Sequence, residues 1–380
     1  MRFGKDSAFI VRKEEPFNAG PPPDLARESY ITPADLFFVR NHGSVPIIDP
    51  ASYRLSVTGL AHRQLSLSLA EIHDEFPKIT VVSALQCAGN RRKELMKVAE
   101  IQGEIPWDTE AIGNAIWGGV SLRLILRVAG IAQEAEHIAF AGLDQVNAGG
   151  ETIGFGGSIP KDKAMSPEVI LAYEINGRPL PAVHGYPLRV VVPGYIGARS
   201  VKWLGAINIQ RTPSDNYFQA RAYKLYSPWV SSEDAHLHTG WMLGEQRLSS
   251  CICRPCDGDA IPSGLTVIEG YATAAGGREV QRVEVSADQG RTWVIATILK
   301  YRRPWGWCFW DARLNLRPGA HELVVRAWDS AGETQPRDAA DVWNFKGYMN
   351  HSWHRVVIHA QPAGPRPVST AHAEWDVAMP

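Results

Sequence analysis

The C-terminal third of the chain constrains the fold most, because three long segments there alternate apolar and polar residues. The segments are LTVIEGYAT, REVQRVEVSADQGRTWVIATIL and HELVVRAWDSAGE. A period of two residues is typical of β-strands that bury one face. Turn-forming stretches such as Asp288–Arg291 and Asp329–Gly332 separate the strands. We therefore predict an all-β, immunoglobulin-like sandwich over residues 249–360, without the Cys…Trp…Cys spacing of antibody domains.

The middle of the chain mixes two periodicities, which predicts an α+β domain over residues 31–248. Residues 54–60 alternate like a strand. Residues 68–76 and 121–130 carry apolar residues at helical spacing. The continuous apolar run at 188–194 predicts a strand that is buried on both faces.

The two ends of the chain differ in composition from its middle. Residues 1–30 are charged and then rich in proline, with three consecutive prolines at 21–23, so we predict an extended arm without regular helix. Residues 361–380 are rich in proline and alanine, which predicts a flexible tail. We place the domain boundary between Ser249 and Pro262, where the sequence is least regular.

The overall charge and the few cysteines disfavour several function classes. With 39 basic and 40 acidic residues, the chain has no global field that favours nucleic acid or an acidic membrane surface. No apolar stretch approaches the about 20 residues that span a bilayer, and no signal peptide is recognisable. We therefore expect a cytoplasmic protein, or a periplasmic one if an export signal precedes it. Five cysteines argue against a disulfide framework.

One cysteine has unusual neighbours, in the segment LQCAGNRR. Gly89 and Asn90 favour a tight turn after Cys87. Arg91 and Arg92 would place positive charge beside the thiol, which favours the thiolate. A thiolate is a soft ligand that suits a soft metal. The alternative is that Cys87 is a small buried apolar residue before a solvated basic turn.

Three further segments are rich in hydrogen-bond donors. RNHGSVP begins at Arg40, HGYPLR at His184 and GARSVKW at Gly197. Glycine, backbone N–H groups and basic side chains suit an oxyanion such as a phosphate, although the first segment alone is also typical of an ordinary polar loop. None of these segments is a P-loop, and no G-x-G-x-x-G fingerprint follows a strand. Together with Cys87 they indicate an anionic cofactor that contains a soft metal.

The chain resembles the sulfite oxidase family of molybdopterin enzymes. The segments that carry the resemblance are LQCAGNRR, DLFFVRNHG, IGNAIWGG, LAYEINGRPLP, HGYPLRVVVPG, GARSVKWL and WNFKGYMNHSWHRV, from about Glu15 to His359. The strings Cys-Ala-Gly-Asn-Arg-Arg and Gly-Ala-Arg-x-Val-Lys-Trp are the most specific. The resemblance implies a molybdopterin-binding α+β domain followed by an immunoglobulin-like dimerisation domain, in a homodimer.

The resemblance also assigns roles to individual residues. Cys87 would be the protein ligand to molybdenum, and Arg40, Arg92 and Tyr223 would form the substrate pocket. The pterin and its phosphate would be held by Asn41, His42, Gly43, Ser44, Val45, Asp144, His184, Arg189, Ser200, Val201 and Lys202.

The implied reaction is oxidation of sulfite to sulfate by oxygen-atom transfer, with molybdenum–molybdopterin as the cofactor. The cofactor performs the redox chemistry and the protein orients it. No His-Pro-Gly-Gly or Cys-x-x-Cys-His segment occurs, so we expect no haem and no flavin in the chain. The electrons would pass to an external acceptor, either oxygen or a cytochrome.

Two positions depart from the family pattern. In the Trp-x-Trp-x-x-Trp segment, Cys308 stands where animal sulfite oxidases carry an arginine that reaches the anion pocket. Ala222 precedes the pocket tyrosine, where the family usually has an acidic residue. We expect the anion pocket to be less positive, or another residue to compensate.

Two rival functions stay open. Nitrate reductases share the Cys-Ala-Gly-Asn-Arg-Arg segment, and the stretches 91–94 and 214–218 lean towards them, whereas Tyr223 argues for sulfite. A non-catalytic cofactor carrier or adhesive module would need neither a pocket tyrosine nor a pocket arginine.

A second cysteine cluster allows a structural zinc site. Cys251, Cys253 and Cys256 are close in sequence, and His236 or His238 could supply a fourth ligand. The spacing matches no standard zinc finger, so the alternative is a reduced, cysteine-rich linker.

Overall fold

The N-terminal segment is folded rather than extended. The computed structural model describes residues 2–236, 239–299 and 303–362. Strands β1 and β2 form a hairpin, and helix α1 follows them. Their bounds are Ile10–Lys13, Asn18–Gly20 and Pro23–Ala26. The prediction of an arm without regular helix is therefore wrong. Proline is tolerated in the first turn of a helix, because the N–H groups of that turn have no partner within the helix.

The hairpin is tied to the domain that follows it. The N–H of Ala19 donates to the Val39 carbonyl at 3.1 Å, and the N–H of Val39 returns a bond of 2.8 Å to Ala19. Asn18 and Ala19 are fully buried. Asn18 and Ala19 are thus part of the wall beside the loop that begins at Arg40.

Two five-stranded sheets form the α+β domain. The first has the order β10-β7-β14-β3-β4, with β14 parallel to β3. Its strands are β3 Leu55–Gly59, β4 Leu65–Leu67, β7 His137–Gly142, β10 Gly156–Pro160 and β14 Leu204–Gln210. The second has the order β12-β11-β6-β5, and β13 also pairs with β11. Its strands are β5 Lys78–Gln86, β6 Ile112–Ser121, β11 Ile170–Ile175, β12 Arg178–Pro179 and β13 Arg189–Val191.

The helices of this domain are short. They are α2 Leu69–Glu75, α3 Arg92–Met96, α4 Leu122–Ala129 and α5 Lys161–Ala164. A capping box between Ser68 and Glu71 begins α2, and Gly130 with φ +69° ends α4. Both predicted helices are thereby confirmed. The predicted strand at 188–194 is also present and buried, although its paired part is only the three residues of β13.

Small hairpins lie at the edge of this domain. They are β8 Val146–Ala148 with β9 Glu151–Ile153, and β15 Lys224–Leu225 with β16 Trp241–Met242. A single π-helical turn, Phe218–Ala222, precedes β15.

The predicted C-terminal sandwich is confirmed. One sheet has the order β17-β19-β23-β22 and the other the order β18-β25-β24-β20-β21. The strands are β17 Ser249–Arg254, β18 Ala260–Pro262, β19 Gly264–Thr273, β20 Val280–Ser286, β21 Val294–Ile295, β22 Thr297–Ile298, β23 Cys308–Leu316, β24 Gly319–Asp329 and β25 His354–Gln361. Alternate residues such as Val283, Val285, Val325 and Ile358 form the core between the sheets.

The two ends of the sandwich bear on the domain predictions. Its first strand, β17, begins at Ser249 and pairs with β19, so the cysteine-rich segment is a strand and not an irregular linker. The predicted flexible tail begins at Gln361, which is the last residue of β25, and residues 363–380 lie outside the described residues. Within the described ranges no helix is long and apolar enough to cross a bilayer.

Candidate active site

A cleft lies in the α+β domain, where loops from distant parts of the chain meet. The predicted site residues that line it are Arg40, Asn41, His42, Cys87, Asp144, His184, Arg189, Ser200, Lys202 and Tyr223. These positions are spread over most of the domain's sequence, so only the tertiary fold brings them together.

Cys87 enters the cleft directly after β5. Its N–H donates to the Ala111 carbonyl at 2.9 Å, and the N–H of Asn90 closes a turn onto the Cys87 carbonyl at 3.0 Å. The Gly89 N–H points at the Cys87 sulfur at 3.4 Å. A Cβ at position 89 would lie 2.5 Å from the Arg92 guanidinium, so a larger residue there would displace that group. The turn fixes the thiol and leaves its outer side open to the cleft.

Arg91 does not place its positive charge beside the Cys87 thiol, which was the prediction from its position in the sequence. It has a left-handed φ of +63°, and its fully buried guanidinium pairs with Glu94 at 2.6 Å. The same group donates to the carbonyls of Ser352 at 2.9 Å and Ser250 at 3.4 Å, both in the sandwich. Arg91 therefore braces the two domains against each other.

Arg40 is the arginine that interacts with the cleft thiol. Burial alone would lower the pKa of Arg40, but the acidic groups of Tyr223 and Cys87 outweigh burial and raise it. The guanidinium is held by the Asn41 carbonyl and by Asn18 Oδ1 at 3.3 Å. A permanent cation thus faces both Cys87 and Tyr223.

Tyr223 completes this side of the cleft. Its hydroxyl lies 2.9 Å from Nε2 of His42. Burial raises the pKa of Tyr223, although Arg40 opposes the shift, so the phenol stays protonated at neutral pH. The ring stacks on Tyr348 with a centroid distance of 5.2 Å, which fixes its orientation.

The other side of the cleft concentrates positive charge. Lys202 bonds to Asn41 Oδ1 and donates to the Val183 carbonyl at 3.0 Å, while Arg189 donates to the carbonyls of His184 at 2.9 Å and Ser200 at 2.8 Å. Burial and the neighbouring Arg189 lower the pKa of Lys202 well below its usual range. Burial lowers the pKa of Arg189 to about 9. These shifts arise because buried cations lack a compensating anion.

This charge distribution fits an anionic cofactor. Among the described residues that line the cleft, Asp144 is the only carboxylate, and burial raises its pKa. The buried Nδ2 of Asn41 has no hydrogen-bond partner in the described part of the chain, although it faces this cleft. A phosphate would neutralise the cations, and an acceptor atom would satisfy Asn41. Cys87 supplies the soft donor that a metal requires.

The family models agree with this combination of domains and site. A model described as an oxidoreductase molybdopterin binding domain matches residues 42–218, and one described as a Mo-co oxidoreductase dimerisation domain matches residues 242–361. The sulfite oxidase of Gallus gallus is 44% identical over 355 residues, which cover 91% of this chain and 76% of that protein.

The chain belongs to the sulfite oxidase family of molybdopterin-dependent oxidoreductases. The sulfite oxidase of Arabidopsis thaliana is 39% identical, with 92% of this chain and 93% of that protein covered. A nitrate reductase of Hordeum vulgare is 38% identical over 91% of this chain, but this chain spans only 41% of it. Among solved structures, the sulfane dehydrogenase SoxCD of Paracoccus pantotrophus superposes with a TM-score of 0.77 at 26% identity, covering 91% of this chain and 87% of that one.

Some residues assigned by the family resemblance lie outside the cleft. Gly43, Ser44 and Val45 line a neighbouring groove that shares Asn41 as a wall. Val201 is buried in the main core, where its carbonyl accepts from Val190 at 3.0 Å. These residues shape the loops around the cleft rather than its surface.

Arg92 lies behind the cleft. Its Nη1 donates to the Ile105 carbonyl at 2.8 Å, its Nη2 lies 3.4 Å from Glu104, and its guanidinium stacks on Tyr348 at 5.0 Å. Since Tyr348 stacks on Tyr223, Arg92 supports the pocket tyrosine from behind.

Cys308 does not occupy the anion pocket in this fold. It begins β23, is buried in the core of the sandwich, and lies beside Arg303 and Trp307 in a small cavity away from the cleft. The expectation that Cys308 takes the place of a pocket arginine is therefore wrong, because the strand directs this side chain into the sandwich. The positive charge in the cleft comes from Arg40, Arg189 and Lys202 instead.

The zinc hypothesis gains no support from the second cysteine cluster. Cys251 and Cys253 are buried in β17, and Cys256 follows the strand. Across the described ranges, no three His, Cys, Asp or Glu side chains are arranged to hold a metal. His236 is described and exposed, whereas His238 lies outside the described residues.

Sequence reasoning missed one charged residue of the site. Lys5 lies 2.5 Å from Nε2 of His184 and donates to the carbonyls of Phe37 at 2.8 Å and Ala34 at 2.6 Å. Burial lowers the pKa of Lys5 to about 7. Nothing in its local sequence indicates this role, because it belongs to the segment predicted as an extended arm. Aromatic walls at Phe37, Phe38 and Phe155 were also missed.

Proposed function

We propose that this chain oxidises sulfite to sulfate with a molybdenum–molybdopterin cofactor and passes the electrons to an external acceptor. The observation that carries the proposal is one cleft in which Cys87, Arg40 and Tyr223 meet beside a cluster of buried cations. A soft ligand, a fixed cation and a protonated phenol are the groups that a metal-centred reaction on a small oxyanion needs.

The cofactor would be held by residues with separate tasks. Cys87 would bind the metal, and Asn41, Asp144 and Ser200 offer polar partners for the pterin. Arg189 and Lys202 would neutralise the phosphate, and His184, with Lys5 behind it, would offer a hydrogen bond. When bound, the cofactor supplies the two-electron redox chemistry and the exchange of an oxygen atom.

Arg40 and Tyr223 would recognise the substrate. Sulfite is a dianion near neutral pH, and Arg40 offers a permanent charge with two parallel donors. The protonated Tyr223 hydroxyl can turn from His42 and donate to a substrate oxygen. Both groups are fixed before substrate binds, so their interaction with developing negative charge needs little reorganisation.

Nitrate reduction is the second candidate, and it has its own support. The barley nitrate reductase is nearly as similar over this chain as the plant sulfite oxidase. The residues that lean towards nitrate reductase, however, lie outside the cleft and have structural partners. Arg91 pairs with Glu94, the N–H of Ser214 donates to Ser158 Oγ at 2.9 Å, and Asn216 donates to the Gly154 carbonyl at 3.0 Å.

Metal analysis followed by steady-state kinetics tests the proposal. The purified protein should contain about one molybdenum per chain and should turn over sulfite with ferricyanide as acceptor. Nitrate turnover with a reduced dye and no response to sulfite would favour nitrate reduction. Stoichiometric molybdenum without either activity would favour a cofactor carrier. The dimerisation domain supports a homodimer, which sedimentation of the same sample measures.

A further inference from the structure

The N-terminal strap, which we define as residues 2–9, is attached to the α+β domain mainly through one lysine. Within this segment Lys5 is the one buried residue, with 4% of its surface exposed. Its ammonium group donates to the carbonyls of Ala34 at 2.6 Å and Phe37 at 2.8 Å, and lies 2.5 Å from Nε2 of His184. These three contacts use all three N–H groups of the ammonium. The position of the strap therefore depends on a charged side chain and not on an apolar core.

The other contacts of the strap are weaker. Arg2 pairs with Glu15, but both side chains are exposed, and exposed ion pairs add little stability. The N–H of Asp6 donates to the Asp35 carbonyl over a long distance of 3.3 Å. Half-buried Phe9 packs against a small apolar cluster at the end of the strap. The chain is paired in a hairpin from β1 onward, so the strap can undock while the hairpin stays in place.

The strap borders the cofactor site on two sides. Lys5 contacts His184, which lines the cleft itself. Arg2 and Phe3 line the neighbouring groove, together with residues 43–45 of the loop that follows Arg40. Both surfaces carry residues that the family resemblance assigns to the cofactor. A strap that is docked at both places therefore restricts the way into the site and out of it.

The charges around His184 couple the strap to an anionic ligand. Burial lowers the pKa of His184 well below its usual range, and three neighbouring cations lower it further: Lys5, Lys202 and Arg189. In the described part of the chain these cations donate to carbonyl, amide and imidazole acceptors and to no carboxylate. A bound phosphate would offset the repulsion between the cations and favour the docked position of Lys5. By linkage, docking of Lys5 would strengthen binding of the phosphate by the same factor.

We propose that the N-terminal strap is part of the cofactor site and retains the bound cofactor, with Lys5 as the residue that links the strap to the phosphate through His184. This inference rests on the molybdenum–molybdopterin cofactor of the proposed function, but not on which substrate reacts. The strap undocks when the cofactor enters or leaves. In the cofactor-free protein the repulsion between Lys5 and the other buried cations favours the undocked state, and in the loaded protein the phosphate favours the docked state.

Limited trypsin digestion of the wild-type protein tests the docking of Lys5. Trypsin cleaves after Lys5 only when this side chain has left its buried partners, so the cleavage rate reports undocking. The rate should be lower by about tenfold or more in the cofactor-loaded protein than in cofactor-free protein from cells that make no molybdopterin. The bond after Lys13 is the control in the same molecule, because that side chain is exposed at the end of β1. Equal rates after Lys5 in the two forms, or equal protection of both bonds, would overturn the proposal.

The rate of cofactor release tests the same coupling from the side of the ligand. The loaded protein is diluted, free pterin is removed by filtration, and the pterin that stays with the protein is oxidised and measured by fluorescence. Lys5→Met should raise the release rate by about tenfold or more, because truncation of a buried, hydrogen-bonded charge acts mainly on dissociation. Lys13→Met is the matched control and should release cofactor at the wild-type rate. Wild-type release from a Lys5→Met protein with a native circular dichroism spectrum would overturn the proposal, and the trypsin test on the wild type decides it if this variant does not fold.

Sulfite turnover separates this inference from the proposed function. A loaded wild-type protein that does not oxidise sulfite contradicts the proposed function, and protection of the bond after Lys5 in that protein still supports the strap. A loaded protein that oxidises sulfite, but shows neither this protection nor faster release from Lys5→Met, overturns the strap alone. The trypsin and release measurements count cleaved chains and bound pterin, so neither readout depends on catalysis.

Discussion

The hydroxyl of Tyr223 and Nε2 of His42 lie 2.9 Å apart, although 181 positions separate the two residues in the chain. Burial, together with Arg40 and Lys202, lowers the pKa of His42 well below its usual range. A neutral imidazole therefore shares one hydrogen bond with a protonated phenol. The pair keeps Tyr223 aimed into the cleft before substrate arrives.

Tyr223→Phe should lower kcat/KM for sulfite by about 10- to 100-fold, which corresponds to about 1.4–2.7 kcal/mol of transition-state stabilisation. The reason is loss of one buried donor to the substrate, while the stacking on Tyr348 is kept. Steady-state kinetics with ferricyanide as acceptor measures this change in kcat/KM. Tyr226→Phe is the matched control, since the hydroxyl of Tyr226 has no hydrogen-bond partner in the described part of the chain. Equal effects of the two substitutions would argue against a role for the Tyr223 hydroxyl.

Cys87→Ser should abolish sulfite turnover and leave the fold intact. A serine hydroxyl is a hard, protonated ligand and does not replace a thiolate on a soft metal. Kinetics, metal analysis and circular dichroism are measured together. Cys256→Ser is the control, because that thiol follows β17 in the sandwich and should be dispensable. Full sulfite activity in Cys87→Ser would falsify the assignment of Cys87 as metal ligand.

Lys5 should give the cofactor-free protein a characteristic pH dependence. Burial lowers the pKa of Lys5 from 10.5 to about 7 in the folded state. Between about pH 7 and 10.5 the unfolded chain binds more protons at this lysine, so the free energy of unfolding should rise with pH there. Urea denaturation at several pH values measures the slope.

Two comparisons isolate the contribution of Lys5. Lys5→Met should flatten the slope, because the titrating amine is removed. The cofactor should flatten it as well, because a nearby phosphate favours the charged amine and raises its pKa again. A slope that is the same in wild type and Lys5→Met would show that other groups produce it.

Arg91→Met should lower the free energy of unfolding by about 3 kcal/mol. The substitution leaves Glu94 and the carbonyls of Ser250 and Ser352 without their buried cation. Urea denaturation measures the loss, and the transition should broaden if the domains separate. Lys93→Met is the control, since its ion pair with Asp108 is half exposed and is worth about 0–1 kcal/mol. Similar losses for both variants would contradict the bracing role of Arg91.

The spacing of apolar residues along the chain predicted many of the strands and helices, because that spacing depends only on the geometry of each element. Successive side chains of a strand point to opposite faces of the sheet, so an apolar residue at every second position predicts a strand with one buried face. The sandwich strands were predicted on this basis. The apolar spacing of residues 68–76 and 121–130 predicted both helices for a similarly local reason, and in the structure the capping box at Ser68 and the residue Gly130 mark two of their ends. The proline-rich start misled the prediction, since Pro23 begins a helical turn instead of preventing one.

The sequence by itself determined the family, the thiol at Cys87 and most of the residues that line the cleft. Only the tertiary structure decided which charges face that thiol. Arg91 is near Cys87 in sequence, yet its left-handed backbone turns it into the domain interface, and Arg40 takes its place in the cleft. Lys5 reaches His184 of the cleft from the N-terminal segment, and Cys308 turns away from the cleft. Side-chain direction depends on backbone dihedrals and long-range packing, which proximity along the chain does not encode.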